Sequence, residues 1–396
     1  MSTESAPEHR TFKGGIKDGT DSRTNLRLRS LKNTRRDKLK MRRGAHILEV
    51  EDDDDVEMKS LQPIVIFRSL KDKTLALLQE WLQSGNGVEA VQSLSSVLHF
   101  EDEGLALAAY PELFGGVAGN EILKRLVTII GNGPSPLYRI AINCVTTIMF
   151  EPENISCVKV LCDNNIHGVA VSHILQIGAL NTETRQELLE LIGNTARNNR
   201  YARDIVLETP GFMQAIVSNL QDAHDRDDWN LISSVFYVMY ALCESYHGGE
   251  TPPLSIFEPL MPLFIALISR IPQVEAPYIT ELTQEVLLGA ISFIDAICLG
   301  DGYISQQTTE LVLARYEGVI KLAQDPSILR LLFRSLKSKK LIQRKVVSAL
   351  GNMCNAGQAA CKTLVTAQIV PIIFETLCAI DCEQYTQKQI IRIYFR

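Results

Sequence analysis

Leu188–Val217 reads LLELIGNTARNNRYARDIVLETPGFMQAIV. Leu188, Leu189, Leu191 and Ile192 open it as one apolar helix face, and Gly193-Asn194 then reads as a stop. A polar turn follows. Ala202, Ile205 and Val206 form the face of a short amphipathic helix, Pro210-Gly211 breaks it, and Phe212 starts another apolar run. Val346–Phe374, VVSALGNMCNAGQAACKTLVTAQIVPIIF, has the same plan. Tyr138–Gly178, Val235–Ser269 and Val286–Ala323 follow it more loosely. Copies recur at roughly 40–57 residues. One such unit cannot bury its apolar face alone, so neighbouring units must stack into one core.

From about Leu61 onward the chain keeps this texture. Helical segments are expected at Thr74–Leu82, Val88–Leu98, Glu121–Ile130, Tyr138–Phe150, Thr184–Thr195, Ala202–Glu208, Phe212–Leu220 and Ile342–Met353. Gly, Pro, Asn and Asp punctuate them. No run of alternating β-branched residues is bounded by hairpin turns. The expected fold is all-α, a right-handed solenoid of the armadillo or HEAT type. By this register 61–396 holds about five repeats and part of a sixth, ending on an uncapped apolar face that favours association.

The net charge of −6 on 396 residues hides a split. Met1–Arg43 carries thirteen Lys and Arg against five acids, a net +8, and the remainder carries −14. Residues 1–48 form a basic arm, poor in large apolar side chains, and are expected to be mostly disordered in isolation. Residues 49–60 form a linker, with seven acids in Glu49–Glu57. A basic arm on an acidic body is a signal of partner binding, not of fold.

Composition and motifs exclude several classes. The apolar runs Val235–Cys243 and Leu260–Ile268 fall well short of the ~20 residues of a spanning helix. The N-terminus is polar and charged, unlike a secretory signal, and the nine cysteines sit in apolar stretches, as reduced buried thiols do. Cys157, Cys162, His167 and His173 lack the tight Cys pair of structural zinc sites. No phosphate-binding Gly-Lys-Ser/Thr loop, H-E-x-x-H or G-x-S-x-G stands in the chain. The reading is therefore a non-enzyme, with no cofactor, metal, membrane or small-molecule substrate. Arg35-Arg36 and Arg42-Arg43 could contact phosphates, but the acidic body would repel a nucleic acid.

The arm and the repeats together resemble the importin-α family of nuclear import adaptors. In the arm the resemblance lies in Arg10, Phe12, Lys13, Lys17, Arg23, Arg27, Arg29 and Leu31, then Arg35, Arg36, Leu39, Lys40, Arg42 and Arg43. These positions are similar to the family's importin-β-binding segment. A basic helix of this kind can thread an acidic superhelix through charge-assisted contacts. Ala241–Leu254 is similar to the proline-rich loop after the family's third repeat. Leu191-Ile-Gly-Asn194 and Ala349-Leu-Gly-Asn352 are similar to its second and fifth repeats. The resemblance implies two partners, importin-β and a basic import-signal peptide, and shuttling between cytoplasm and nucleus. It also implies that Lys40-Met-Arg-Arg43 can fold back as a mimic of cargo.

In that family each inner helix presents a Trp and, four residues later, an Asn. The Asn holds the backbone of an extended peptide, and the Trp rings form slots for lysine stems and charges. Here the corresponding pairs are Asn143 and Thr147, Glu190 and Asn194, and Tyr237 and Ala241. No Trp stands at any of them. The candidate peptide groove is therefore Asn143, Glu190, Asn194, Tyr237 and Glu244. Two plainer readings compete. Asn194 beside Gly193, like Asn352 after Gly351, could be a helix C-cap, and Tyr237 could be a core residue. The absent Trp ladder motivates an alternative function: a diverged armadillo scaffold that has lost ordinary import-signal binding and serves a specialised protein partner.

Overall fold

The computed structural model describes residues 56–372, apart from 86, 151–153, 245–251, 253, 272–279, 299–308, 337, 339, 356–357 and 370. The arm, the acidic run 49–55, most of the proline-rich loop and the chain's last 24 residues lie outside the described residues. The chain divides into two units, Met1–Ser60 and Leu61–Arg396, and the repeats all belong to the second.

Every regular element among the described residues is helical. Helix α1 (Val56–Ser84) carries Pro63 inside it and is followed by α2 (Val88–Leu98). Then a three-part unit repeats. The first comprises α3 (Glu103–Ala108) with α4 (Tyr110–Phe114), then α5 (Gly116–Gly131) and α6 (Tyr138–Phe150). The second is α7 (Ile155–Asp163), α8 (Ile166–Leu175) and α9 (Thr182–Asn198). The third is α10 (Arg200–Glu208), α11 (Phe212–Asp225) and α12 (Trp229–Cys243). The fourth opens with a 3₁₀ turn, Leu254–Phe257, before α13 (Met261–Arg270) and α14 (Glu281–Cys298). The fifth is α15 (Thr309–Gln324), α16 (Pro326–Ser335) and α17 (Lys340–Asn355), and α18 (Gln358–Thr366) follows.

Local chemistry sets the helix starts. Asn181, Asn199 and Asp228 cap α9, α10 and α12, each accepting a hydrogen bond from the backbone N–H three residues on. Asp325 caps α16 with two such bonds. Each cap satisfies a donor that would otherwise be orphaned and contributes about 1 kcal/mol. Between α10 and α11 the chain reverses at Pro210-Gly211. Gly211 takes φ +79°, a conformation that glycine adopts without a Cβ penalty.

Packing then sets the helices in rows. Helix α2 and the third helices α6, α9, α12, α14 and α17 pack in sequence, each against the next. The second helices α5, α8, α11, α13 and α16 form another row in the same manner. The core runs between the rows without interruption from repeat to repeat. One part of it is aromatic: Phe236, Phe257, Phe264 and Phe293 are all 0% exposed. Ring centroids lie 5.1 Å apart for Phe236–Phe264, 5.3 Å for Phe264–Phe293 and 5.2 Å for Phe257–Phe293, all edge-on. That geometry suits the ring quadrupoles.

One expectation fails. Gly193-Asn194 and Gly351-Asn352 do not end their helices, because α9 continues to Asn198 and α17 to Asn355. Asn194 and Asn352 are therefore not C-caps. In α9 the extra turn, Thr195–Asn198, is buried, and Asn198 donates to the Met149 carbonyl of α6 at 3.1 Å. Packing against the preceding repeat outweighs the local stop signal. No described helix is long and apolar enough to cross a membrane. The seven described cysteines are free thiols, five of them buried.

Candidate functional site

Each expected groove residue lies on or at the end of a third helix. Asn143 is half-buried on α6. Glu190 is half-buried on α9, and Asn194, one turn further on, is 7% exposed. Tyr237 is half-buried on α12, and Glu244 is the C-cap residue of that helix. The arm residues Arg10–Arg43 lie outside the described residues.

Two of these residues meet. The Asn194 side chain donates through Nδ2 to the Thr146 carbonyl of α6 at 3.1 Å. Its Oδ1 accepts the hydroxyl hydrogen bond of Tyr237 from α12. One amide thus ties three consecutive third helices together. The Tyr237 ring lies against Gly193, where an added Cβ would sit 2.5 Å from Cε1. Only a glycine leaves room for that ring. Burial pushes the Tyr237 phenol above its ordinary pKa, so it stays a neutral donor.

The other groove residues sit among charges that the sequence did not single out. Glu244 accepts from Arg197 Nε of α9 at 2.5 Å and from the Tyr240 hydroxyl. Arg139 of α6 holds Glu187 of α9 with two hydrogen bonds, of 2.6 and 3.1 Å, and reaches Glu183 at 2.9 Å. Asp295 of α14 is 7% exposed and takes Asn352 Nδ2 at 2.9 Å and Lys345 Nζ at 3.4 Å, both from α17. Lys345 also lies 5.6 Å from the Tyr240 ring centroid.

Glu183, Glu187 and Glu190 share one face of α9, three or four residues apart. Burial raises the Glu187 pKa, neighbouring Glu183 and Glu190 add to the rise, and Arg139 opposes it without cancelling it. A carboxyl whose folded pKa is raised binds its proton more tightly when folded. Its contribution to stability therefore falls as pH rises from near 4.5 through the raised value. A further cation brought to this face would lower that pKa and release a proton. Binding of a basic ligand here should weaken as pH drops through the same window, which a titration at several pH values reads directly.

Asn194, Tyr237, Glu190 and Glu244 were legible in the sequence, whereas Arg139, Glu183, Glu187, Arg197, Asp295 and Lys345 were missed. A usable signal existed. Arg139 and Glu187 are 48 residues apart, Arg197 and Glu244 47, Thr146 and Asn194 48. Each separation is one repeat. The two tryptophans stand away from the expected slots: Trp81 is buried on α1 beneath Arg125, and Trp229 opens α12 two turns before Tyr237.

Chemically, this face offers amides that both donate and accept, and carboxylates that outnumber the cations named with them. No family model matches the chain, and no curated protein matches it by sequence. Solved structures do match its fold. An engineered protein aligns with 69% of this chain and 99% of its own, at 17% identity and a TM-score of 0.51. A designed armadillo repeat protein, solved in complex with the peptide (KR)4, aligns with 69% of this chain and 98% of its own, at 16% identity and a TM-score of 0.51. A second designed armadillo repeat protein aligns with 68% of this chain and 98% of its own, at 15% identity and a TM-score of 0.50. The chain therefore has an all-α armadillo-like repeat fold.

Proposed function

We propose that this chain is an importin-α-like adaptor. Its row of third helices takes an extended basic peptide, and its arm, centred on Arg10–Arg43, binds importin-β. The observation that carries the reading is the charge arrangement. A +8 arm precedes a body of −14. On that body Glu183, Glu187, Glu190, Glu244 and Asp295 belong to neighbouring third helices. An extended peptide brings unpaired backbone N–H and C=O groups together with its Lys and Arg cations. Amide side chains answer the first and carboxylates the second. The designed armadillo protein that carries (KR)4 supports the same ligand class. On this reading the chain shuttles between cytoplasm and nucleus with its two partners.

A second reading keeps the scaffold but gives it a specialised partner. What favours it is the absence of Trp from the expected slots and the engagement of Asn194 on both sides of its amide.

Two measurements test the pair. Full-length chain should capture importin-β at low salt and release it at high salt, because the arm's contacts are charge-assisted and screened. Substituting Arg35, Arg36, Arg42 and Arg43 by Ala should abolish capture. Salt-independent capture, or none, removes the adaptor reading. Titration with a labelled (KR)4 peptide should give micromolar binding that weakens as salt rises. Capture of importin-β without peptide binding favours the specialised scaffold.

A further inference from the structure

We infer that Tyr237 is a built-in plug of the peptide face, a specificity-determining residue that holds Asn194 in a bonded state and selects against lysine and arginine stems at that position. The inference rests on reading the third-helix row as a peptide face.

Tyr237 is the one residue of Leu231–Cys243 that is not buried. It is half-buried at the edge of the core, against the preceding repeat. Its ring covers Gly193, and its hydroxyl donates to Asn194 Oδ1. Both are contacts that a ligand would use. A lysine or arginine stem packs along apolar surface, and the Tyr237 ring fills the space over Gly193 that such a stem would take. A ligand backbone N–H would take the acceptor that Tyr237 now uses. The other side of the Asn194 amide is already committed, since Nδ2 donates to the Thr146 carbonyl.

Peptide and Tyr237 therefore compete for one oxygen and one patch of surface. A ligand with a long basic side chain there must first displace the ring. A ligand with a glycine or alanine leaves the ring in place and loses only the Asn194 contact. The neighbouring Arg197–Glu244 pair closes the same stretch further along, with Tyr240 donating to the same carboxylate. The segment between α9 and α12 is consequently a closed part of the face, and removing one oxygen atom from Tyr237 releases its hold on Asn194.

The test is titration of full-length chain with labelled (KR)4 at fixed salt, comparing wild type, Tyr237→Phe, Tyr237→Ala and Tyr237→Phe/Asn194→Ala. Tyr237→Phe keeps the ring and frees the acceptor, so affinity should rise about fivefold, the worth of one hydrogen bond. Tyr237→Ala should add a further gain by uncovering Gly193. The double variant should lose the gain. Circular dichroism of each variant checks that the array remains folded. If wild type binds and Tyr237→Phe binds within twofold of it, the inference is wrong while the peptide-face reading stands. If wild type does not bind but Tyr237→Phe or Tyr237→Ala does, the inference holds and the specialised-scaffold reading gains. If none of the four binds, both the inference and the peptide-face reading fail.

Discussion

Phe264→Ala should destabilise the repeat array by about 3–5 kcal/mol, a loss at the upper end for a single core truncation. Phe264 is fully buried on α13 and packs edge-on against Phe236 of α12 and Phe293 of α14. Truncation removes the transfer free energy of the ring and both aromatic contacts. It also leaves a cavity between rigid helices that cannot collapse into it. The loss should be local first. Each repeat touches only its neighbours, so a break at the third and fourth repeats divides the array into two shorter stacks. Hydrogen exchange of the full chain is the measurement. Protection should fall most in α12, α13 and α14 and least in α6. A uniform fall across all helices would mean that the array unfolds as one cooperative unit.

Arg185→Ala should cost about 3 kcal/mol, through charge more than volume. Arg185 is 2% exposed on α9. Its Nε and Nη2 both donate to Asn219 Oδ1, at 2.9 and 2.7 Å, and Nη1 donates to Asp222 Oδ2 at 2.6 Å. Asn219 passes the link on, donating to the Ile174 carbonyl of α8 at 2.8 Å. Removing the guanidinium strips the buried Asn219 amide oxygen of its donors and the Asp222 carboxylate of one of its two cations. Asp222 keeps Arg226, which places the cost at the lower end of the range for a broken buried pair. Arg185→Met keeps the aliphatic stem, so comparing the two variants separates packing from charge.

This site also carries a pH signature. Burial pushes the Asp222 pKa up, but the hydrogen bonds and charges of Arg185 and Arg226 outweigh it and hold the carboxyl below its ordinary value. A depressed folded pKa stabilises the fold above the unfolded value, near 3.8, and that stability is lost as pH falls through the folded value. In Arg185→Ala the depression shrinks, so wild type and variant should converge in stability as the solution is acidified below about pH 4. Urea melts of both proteins at pH 7 and pH 3 check this. An unchanged difference at the two pH values would contradict the assignment.

The repeat plan was legible because it rests on local rules. Apolar periodicity, Asn and Asp caps and the Pro210-Gly211 break each act within a few residues. The misreading of Gly193-Asn194 marks where local rules stop. A glycine followed by asparagine looks like a helix end, but here the glycine gives room to the Tyr237 ring and the asparagine bonds to two other repeats. The cross-repeat ion pairs were legible only as far as their one-repeat spacing, for the same reason. Whether Arg139 meets Glu183, Glu187 or Glu190 depends on the stagger of α6 against α9, which neither helix encodes alone. Tyr237 was legible as a groove residue, yet its pairing with Asn194 emerges only once the two helices are stacked.

The proposed function makes the row of third helices the peptide-binding face. The most direct measurement is photo-crosslinking of full-length chain with a (KR)4 peptide carrying a benzophenone at its centre, followed by mass-spectrometric mapping. Crosslinks should fall on α6, α9, α12 and α14, near Asn143, Glu190, Tyr237 and Asp295, and be competed away by unlabelled peptide. Crosslinks confined to the second-helix row α5, α8, α11 and α13 would contradict it.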